Sequence, residues 1–513
     1  MNDTFEDPLS TARTAASSRL SPPPTPWPSV AIHAAVLALW LLLFALAFRG
    51  QGLLAWAVGA VYIAYDTALL AFVGWRTVHL LRPAPTSPHA PALALALGTE
   101  PPTLAVIIAA RDEATVLPVT LAALLAQTDP PDAIVIADDG SSDGTAALLA
   151  ERYGLLAAPL GGLSAASPSH PTLRWLRLPH GGKARALNAA TGHLSHEVVM
   201  TVDADTLLDA RAIAAVRRAF AAEPELAGIT GVITPVCPPS ASGRLFQWFQ
   251  TYEYIRNFLS RHAWMQLDSL LLISGAFAGF RRRAVVAVGG FDPDCLVEDY
   301  ELIHRLRRHA QAQGLSWRFR VLGGAQARTE APAAVGAFLR QRRRWFGGFL
   351  QTQYWYRAMV GVRRLGWLGT LMLPVKAVDT LQPLYGLTAF VLLVVFAASG
   401  RLSVAVPVAV LIAGKIGIDI AFHLWSVRLY RRWVGDSARA SLGWALAAAL
   451  VEPFTFQLLR HSGAALGWVS FLSGSSTWGR QQRHGLGPAA VPAVPGSHGG
   501  SPAAGPGADS GAV

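Results

Sequence analysis

Four polar stations interrupt an otherwise apolar chain: Asp138-Asp139-Gly140, Asp203-Ala204-Asp205, Glu298-Asp299 and Gln341-Arg342-Arg343-Arg344-Trp345. Two carboxylates one residue apart at a strand end offer hard oxygens suited to Mg2+ or Mn2+ holding a diphosphate, which makes Asp203 and Asp205 candidate metal ligands. Asp138 and Asp139 are acceptor-only groups able to take hydrogen bonds from a nucleobase imide or a ribose. A carboxylate at Glu298 or Asp299 can remove the proton of an incoming hydroxyl if it lies within hydrogen-bond reach. An inverting transfer needs one such base and a stabilised leaving group. If that leaving group is a nucleoside diphosphate, a metal, Lys183 and an arginine from Arg342 to Arg344 can neutralise its developing charge. Trp345 offers a flat face to a sugar ring.

Each station also has a plainer use. Asp-x-Asp beyond a strand is more often a turn or a cap, and Thr206 and Asp209 could cap equally well. The run from Asp138 to Thr145 suits a strand-to-helix turn, the helix dipole favours acids at Glu298-Asp299, and Trp345 fits a membrane interface as readily as a sugar. Lysine usage adds weight to the chemical alternative: of 43 basic residues only Lys183, Lys376 and Lys415 are lysines. Lys183 is the one in the soluble block, in His180-Gly181-Gly182-Lys183-Ala184-Arg185, a glycine-hinged loop entering a helix-like stretch. A compact ammonium is specifically wanted there.

The elements that must position these groups follow from pattern. β-rich runs at Leu104 to Ala109, Ala133 to Ala137, Val198 to Val202 and Gly228 to Thr234 alternate with Ala/Leu/Arg-rich helical stretches. This predicts an α/β domain, a mostly parallel sheet covered by helices, over residues 100–330. Asp138 and Asp203 then leave strand carboxyl ends, where open α/β sheets bind ligands. Residues 331–380 read as interfacial helices carrying the arginine-tryptophan station, with Leu365 to Asp379 broken by Pro374.

Composition sets the surroundings. The 513 residues are 52% hydrophobic and 15% charged, a departure from soluble proteins in the membrane direction. Ile32 to Phe48 and Leu53 to Trp75 predict a transmembrane hairpin within residues 29–76, and Leu384 to Ala398, Leu402 to Trp425 and Ser441 to Leu459 predict further crossings within 381–472. Flanking arginines place the soluble block on the cytoplasmic side of a multi-pass protein of the inner membrane. Residues 1–28 and the Gly/Pro/Ala/Ser-rich end of 473–513 read as disordered. The net charge of +11 comes without an aromatic-interleaved basic stripe, so lipid headgroups and phosphorylated substrates are expected partners and nucleic acid is not. Cys237 and Cys295 supply neither a disulfide framework nor a metal site. Asp66, Lys415, Asp419 and Glu452 fall inside predicted spans, where each needs a partner or a water-filled path.

In order and spacing the block resembles the membrane-embedded family 2 glycosyltransferases, the processive synthases of cellulose, hyaluronan, chitin and poly-N-acetylglucosamine. The resemblance rests on Val106 to Glu113, the Asp-Asp-Gly-Ser loop, Gly-Gly-Lys-Ala-Arg-Ala-Leu-Asn, Asp203-Ala204-Asp205, Val297-Glu298-Asp299 and Gln-x-x-Arg-Trp at Gln341 to Trp345. It implies a GT-A fold in which Glu113, Asp138, Asp139 and Lys183 help hold UDP, Asp205 with Asp203 takes the metal, and Asp299 beside Glu298 is the base. Gln341, Arg343, Arg344 and Trp345 would border acceptor and diphosphate. Ile273 to Phe277, Gly289 to Asp292 and the late Trp478 to Arg483 most resemble the poly-N-acetylglucosamine branch, with UDP-N-acetylglucosamine as donor. Two departures stand out: Ala109-Ala110-Arg111-Asp112-Glu113 replaces the usual Pro-x-x-Asn-Glu, and Val297 replaces a Thr. The expectation is polymer extension coupled to export, with an accessory export subunit as a further partner. Its alternatives are transfer of one sugar to a lipid or short acceptor, or a nucleotide-binding component without turnover.

Overall fold

The computed structural model describes residues 9–50, 52–82, 100–435 and 441–474. At its centre β1 (Leu104–Ala110) is an unbroken apolar run, as expected of a strand covered on both faces. It pairs in parallel with β2 (Ala133–Asp139) on one side and β4 (Val198–Asp203) on the other, and β2 pairs in parallel with β3 (Leu173–Leu178). The register sets Ala110 against Asp138 and Ala109 against Asp203. Both acidic stations therefore leave the sheet at one edge, on either side of β1. The chain runs from β1 out to β3 before returning to β4 beyond β1, so this edge is the crevice at which strand order reverses.

The second half of the sheet is mixed rather than parallel. β5 (Thr206–Leu208), β6 (Leu226–Val236), β7 (Phe277–Arg281) and β8 (Arg318–Glu330) complete the order β3-β2-β1-β4-β7-β6-β8-β5, with β7 antiparallel to both β4 and β6. β3 carries Arg174 and Arg177 in its run, and β8 is interrupted by Gly323-Gly324, which explains why neither stands out by pattern. Helices Leu117–Leu125, Thr145–Tyr153 and Lys183–His193 make the crossovers of the parallel half.

The expectation of a disordered start is not met over residues 9–28. Helix Ser10–Ala16 docks on the domain, where Arg13 Nη1 donates to the carbonyls of Gly289 and Phe291 at 3.2 and 3.1 Å. Gly289 and Gly290 adopt φ of 79° and 69° beneath this contact, and a Cβ on Gly289 would fall 2.0 Å from Arg13 N. Arg19 grips Asp292 with Nε and Nη2 at 2.9 and 2.8 Å, and Asp292 has a fully buried side chain. Composition hid this segment because its anchors are single arginines whose partners lie more than 270 residues away.

Among the described residues three helices, Trp27–Arg49, Gly52–Leu81 and Ser403–Val434, are long and apolar enough to cross a membrane, and two bent pairs raise the number to five if each is one span. Leu41, Leu42 and Phe48 on the first are 52%, 56% and 76% exposed, an apolar surface suited to lipid rather than water. The segment expected to be interfacial is the start of one bent pair, Leu368–Asp379 meeting Gln382–Ala398 at 41°. Glu452-Pro453 breaks the other, Leu442–Phe454 with Phe456–Leu472, at 49°. The charges that sequence places inside candidate spans are paired: Lys415 Nζ lies 2.7 Å from Asp66 Oδ2 and also bonds Asp419, and Arg256 Nη2 reaches Glu452 Oε1 at 2.5 Å.

Because removing one partner of a buried pair leaves an uncompensated charge, Arg19→Ala is expected to destabilise the fold by about 3 kcal/mol. Thermal unfolding in detergent checks this, with Asp292→Asn in the Arg19→Ala background recovering part of the loss.

Candidate functional site

A cavity of about 1890 Å³ opens at the carboxyl edge of the parallel strands and draws its walls from both the sheet and the membrane-side helices. Of the residues singled out by sequence, Glu113, Asp139, Lys183, Asp203, Asp205, Glu298, Asp299, Gln341, Arg344 and Trp345 line it. Asp138 and Arg343 do not. Asp138 is 4% exposed and accepts from Ser141 N at 2.9 Å and Trp175 Nε1 at 3.3 Å, so its carboxylate shapes the turn behind the site. Asp139 organises the opposing loop: it accepts from His180 Nδ1 at 2.9 Å, Gly181 N at 2.7 Å and Gly182 N at 3.0 Å. Gly182 has φ of 93°, which lets the chain turn straight into helix Lys183–His193.

Lys183 sits where two acidic stations meet. Its Nζ lies 2.5 Å from Asp203 Oδ1 and 3.5 Å from Glu298 Oε1. Burial works against its charge, but Asp203, Glu298 and Asp299 outweigh burial and hold the ammonium above its ordinary pKa. Burial raises the Glu298 carboxyl, and the Asp299 charge adds to this while Lys183 opposes it. Asp299 is the better presented of the two acids. Its Oδ2 accepts from Gly275 N at 2.7 Å and its Oδ1 from Tyr300 N at 2.8 Å, at the first turn of helix Glu298–Ala312. A Cβ on Gly275 would stand 3.2 Å from that carboxylate, so a glycine permits the approach.

Asp205 is 8% exposed and accepts a long bond of 3.4 Å from Thr329 Oγ1. Among the described residues no group of three or more His, Cys, Asp or Glu side chains is arranged to hold a metal by itself. Asp203 and Asp205 together fit a hard cation whose remaining ligands are phosphate oxygens and water, the usual arrangement for Mg2+ at a nucleotide.

The arginines of the last station divide their work. Arg344 Nη1 donates to Leu296 O at 3.2 Å while lining the cavity. Arg342 is committed to Glu253, with two bonds of 2.7 Å. Sequence reasoning missed the wall made by helix Ala241–Met265, which presents Tyr254, Asn257, Phe258 and Arg261 to the cavity. Their spacing of three and four residues is a helical face, but cavity lining and core packing leave the same periodicity. Arg261 stacks on Phe258 at 4.6 Å, its Nε and Nη1 are buried without hydrogen-bond partners, and burial lowers its pKa to about 10 against the opposing pull of Asp299. The late Trp478 to Arg483 run lies outside the described residues.

A model of glycosyl transferase family 2 matches residues 105–289, and one of glycosyl transferase family group 2 matches residues 198–411. A poly-beta-1,6-N-acetyl-D-glucosamine synthase from Staphylococcus epidermidis is 28% identical over 250 residues, covering 47% of this chain and 53% of the relative. The synthase of Staphylococcus aureus strain COL is 28% identical over 246 residues with the same coverage. The match spans about half the length of these relatives. Among solved structures, a mannosyltransferase from Pyrobaculum calidifontis in complex with GDP-Man and Mn2+ aligns over 78% of this chain and 99% of that one, with 22% identity and a TM-score of 0.47. The two family models together run through the sheet domain and on into the membrane-side helices, and this stretch of the chain is a family 2 glycosyltransferase domain.

Proposed function

We propose that this glycosyltransferase moves N-acetylglucosamine from UDP-N-acetylglucosamine to the end of a growing β-linked polysaccharide at the membrane. The protein is multi-pass, with its catalytic domain on the cytoplasmic side and the product leaving through its own helices. The observation that carries this reading is one continuous cavity lined by the acids at the strand ends, by Asp299 and by Trp345 beside Met372 and Lys376 of the membrane-side helices. The similarity to poly-beta-1,6-N-acetyl-D-glucosamine synthases supports the choice of sugar.

The geometry divides the labour. Asp299, held by Gly275 N and Tyr300 N, takes the proton of the acceptor hydroxyl as its oxygen bonds the anomeric carbon of the donor. The bond between that carbon and the diphosphate breaks on the opposite face, which inverts the configuration. Lys183 and Arg344 offset the charge that develops on the departing UDP. Asp203 and Asp205 would hold a Mg2+ or Mn2+ ion, which when bound supplies further positive charge to the diphosphate. Asp139 and the Gly181-Gly182 loop it organises border the nucleoside, with Glu113 and Arg111 beside them. Trp345 offers its face to the acceptor sugar, and Gln341, whose Oε1 is buried without a partner, is free to take a hydroxyl hydrogen.

Purified protein given labelled UDP-N-acetylglucosamine is expected to make polymer of high mass. A single-sugar glycolipid as the only product would sink the processive reading, and no turnover would sink the donor assignment. Asp299→Asn is expected to cut transfer by about a thousandfold while UDP still binds, because only the proton acceptor is lost. Asp205→Ala is expected instead to weaken UDP binding about tenfold or more in Mn2+ and to change it little in chelator, as measured by calorimetry.

A further inference from the structure

Trp345 is read above as the acceptor platform, and an indole on a helix can change rotamer unless something is packed on it. Here that something is Arg342, whose guanidinium lies 4.6 Å from the Trp345 ring centre and 4.5 Å from that of Phe338. Arg342 is itself clamped. Its Nη1 and Nη2 donate at 2.7 Å to the two oxygens of Glu253, on the facing helix Ala241–Met265, and the Glu253 side chain is 4% exposed. The same carboxylate lies 3.6 Å from Arg460 Nη1 on helix Phe456–Leu472. Arg460 Nη2 continues to Glu452 Oε1 at 3.2 Å, and Glu452 returns to Arg256, one turn along from Glu253, at 2.5 Å. Two glutamates and three arginines thus join the helix of the arginine-tryptophan station, the cavity-wall helix and the second bent membrane pair.

Burying five charges is a poor way to gain stability, since well-packed apolar side chains of similar volume do as well or better. What a bidentate arginine–carboxylate pair supplies over apolar packing is a fixed direction. We propose that Glu253 is a positioning residue for the acceptor: through Arg342 it sets the Trp345 ring in the cavity, and through Arg460 and Glu452 it ties that ring to the membrane helices. The proposal rests on Trp345 contacting acceptor. It places no demand on the nucleotide side, where Asp139 and Lys183 are held by their own neighbours.

The experiment uses full-length protein in detergent with UDP-N-acetylglucosamine and a β-linked N-acetylglucosamine oligosaccharide as primer. Glu253→Gln is expected to raise the primer KM about tenfold or more with UDP affinity unchanged, and Glu253→Asp to recover part of the difference. Glu253→Gln leaves Arg342 buried without its countercharge, so the double variant with Arg342→Gln is included. It is expected to restore the thermal midpoint without restoring primer KM. A normal primer KM in Glu253→Gln, beside a raised one in Trp345→Ala, overturns the positioning role alone. Primer KM and UDP affinity worsening together, or the double variant recovering both stability and primer KM, also overturns it. A normal primer KM in Trp345→Ala overturns the acceptor role of Trp345, and the proposal with it.

Discussion

The Lys183 ammonium joins the two acidic stations that come from separate parts of the chain. Asp203 arrives at the end of β4, and Glu298 opens a helix almost a hundred residues later. Left to themselves these carboxylates and Asp299 would repel one another in a partly buried space. One cation 2.5 Å from Asp203 and 3.5 Å from Glu298 lets them share a cavity wall. An arginine would satisfy the charge, but its planar fork spreads donors over a wider front than a loop hinged at Gly181-Gly182 can serve. This accounts for a lysine at this position in a chain that places arginine at all but three of its 43 basic positions.

How far the site could be read in advance depends on what kind of force places each residue. Asp203 and Asp139 sit at the ends of apolar runs, and backbone pairing alone carries them to the sheet edge, so period and composition were enough. Asp138 shares those grounds for a ligand role, yet it and Asp139 point to opposite faces because side chains alternate along a strand. One turns to Trp175 and the turn at Ser141, the other to the glycine loop. Arg343 failed in the corresponding helical way: its neighbours Arg342 and Arg344 line the cavity and it does not. Tyr254, Asn257, Phe258 and Arg261 were invisible because nothing in one sequence distinguishes a helix face turned to a cavity from one turned to a core.

The N-terminal segment shows another limit of compositional reasoning. A run rich in Ser, Pro and Thr lacks the apolar surface to fold alone, and here it does not fold alone. It uses Arg13 and Arg19 to satisfy the carbonyls and carboxylate of the 289–294 loop, whose glycines leave room for the approach. That loop directly precedes Glu298 and Asp299. The anchoring therefore constrains the backbone that delivers the proposed base, although Arg13 and Arg19 themselves do not line the cavity.

Charges within the membrane-side helices follow the same logic as Lys183. Asp66, Lys415 and Asp419 form one cluster, and Arg256, His423, Glu452 and Arg460 form a second, with His423 held to the Asp419 carbonyl at 2.8 Å. Each charge would be costly in hydrocarbon alone, and together they leave little uncompensated. Their placement is uneven: the second cluster reaches through Glu253 to the arginine beside Trp345, so polar groups line up from the spans toward the cavity rather than scattering among helix contacts. A network meant only to glue helices would have no reason to end on Arg342, the residue packed on the cavity-lining Trp345. Its course suits the role proposed for Glu253, which keeps Trp345 in a fixed relation to the membrane-side helices.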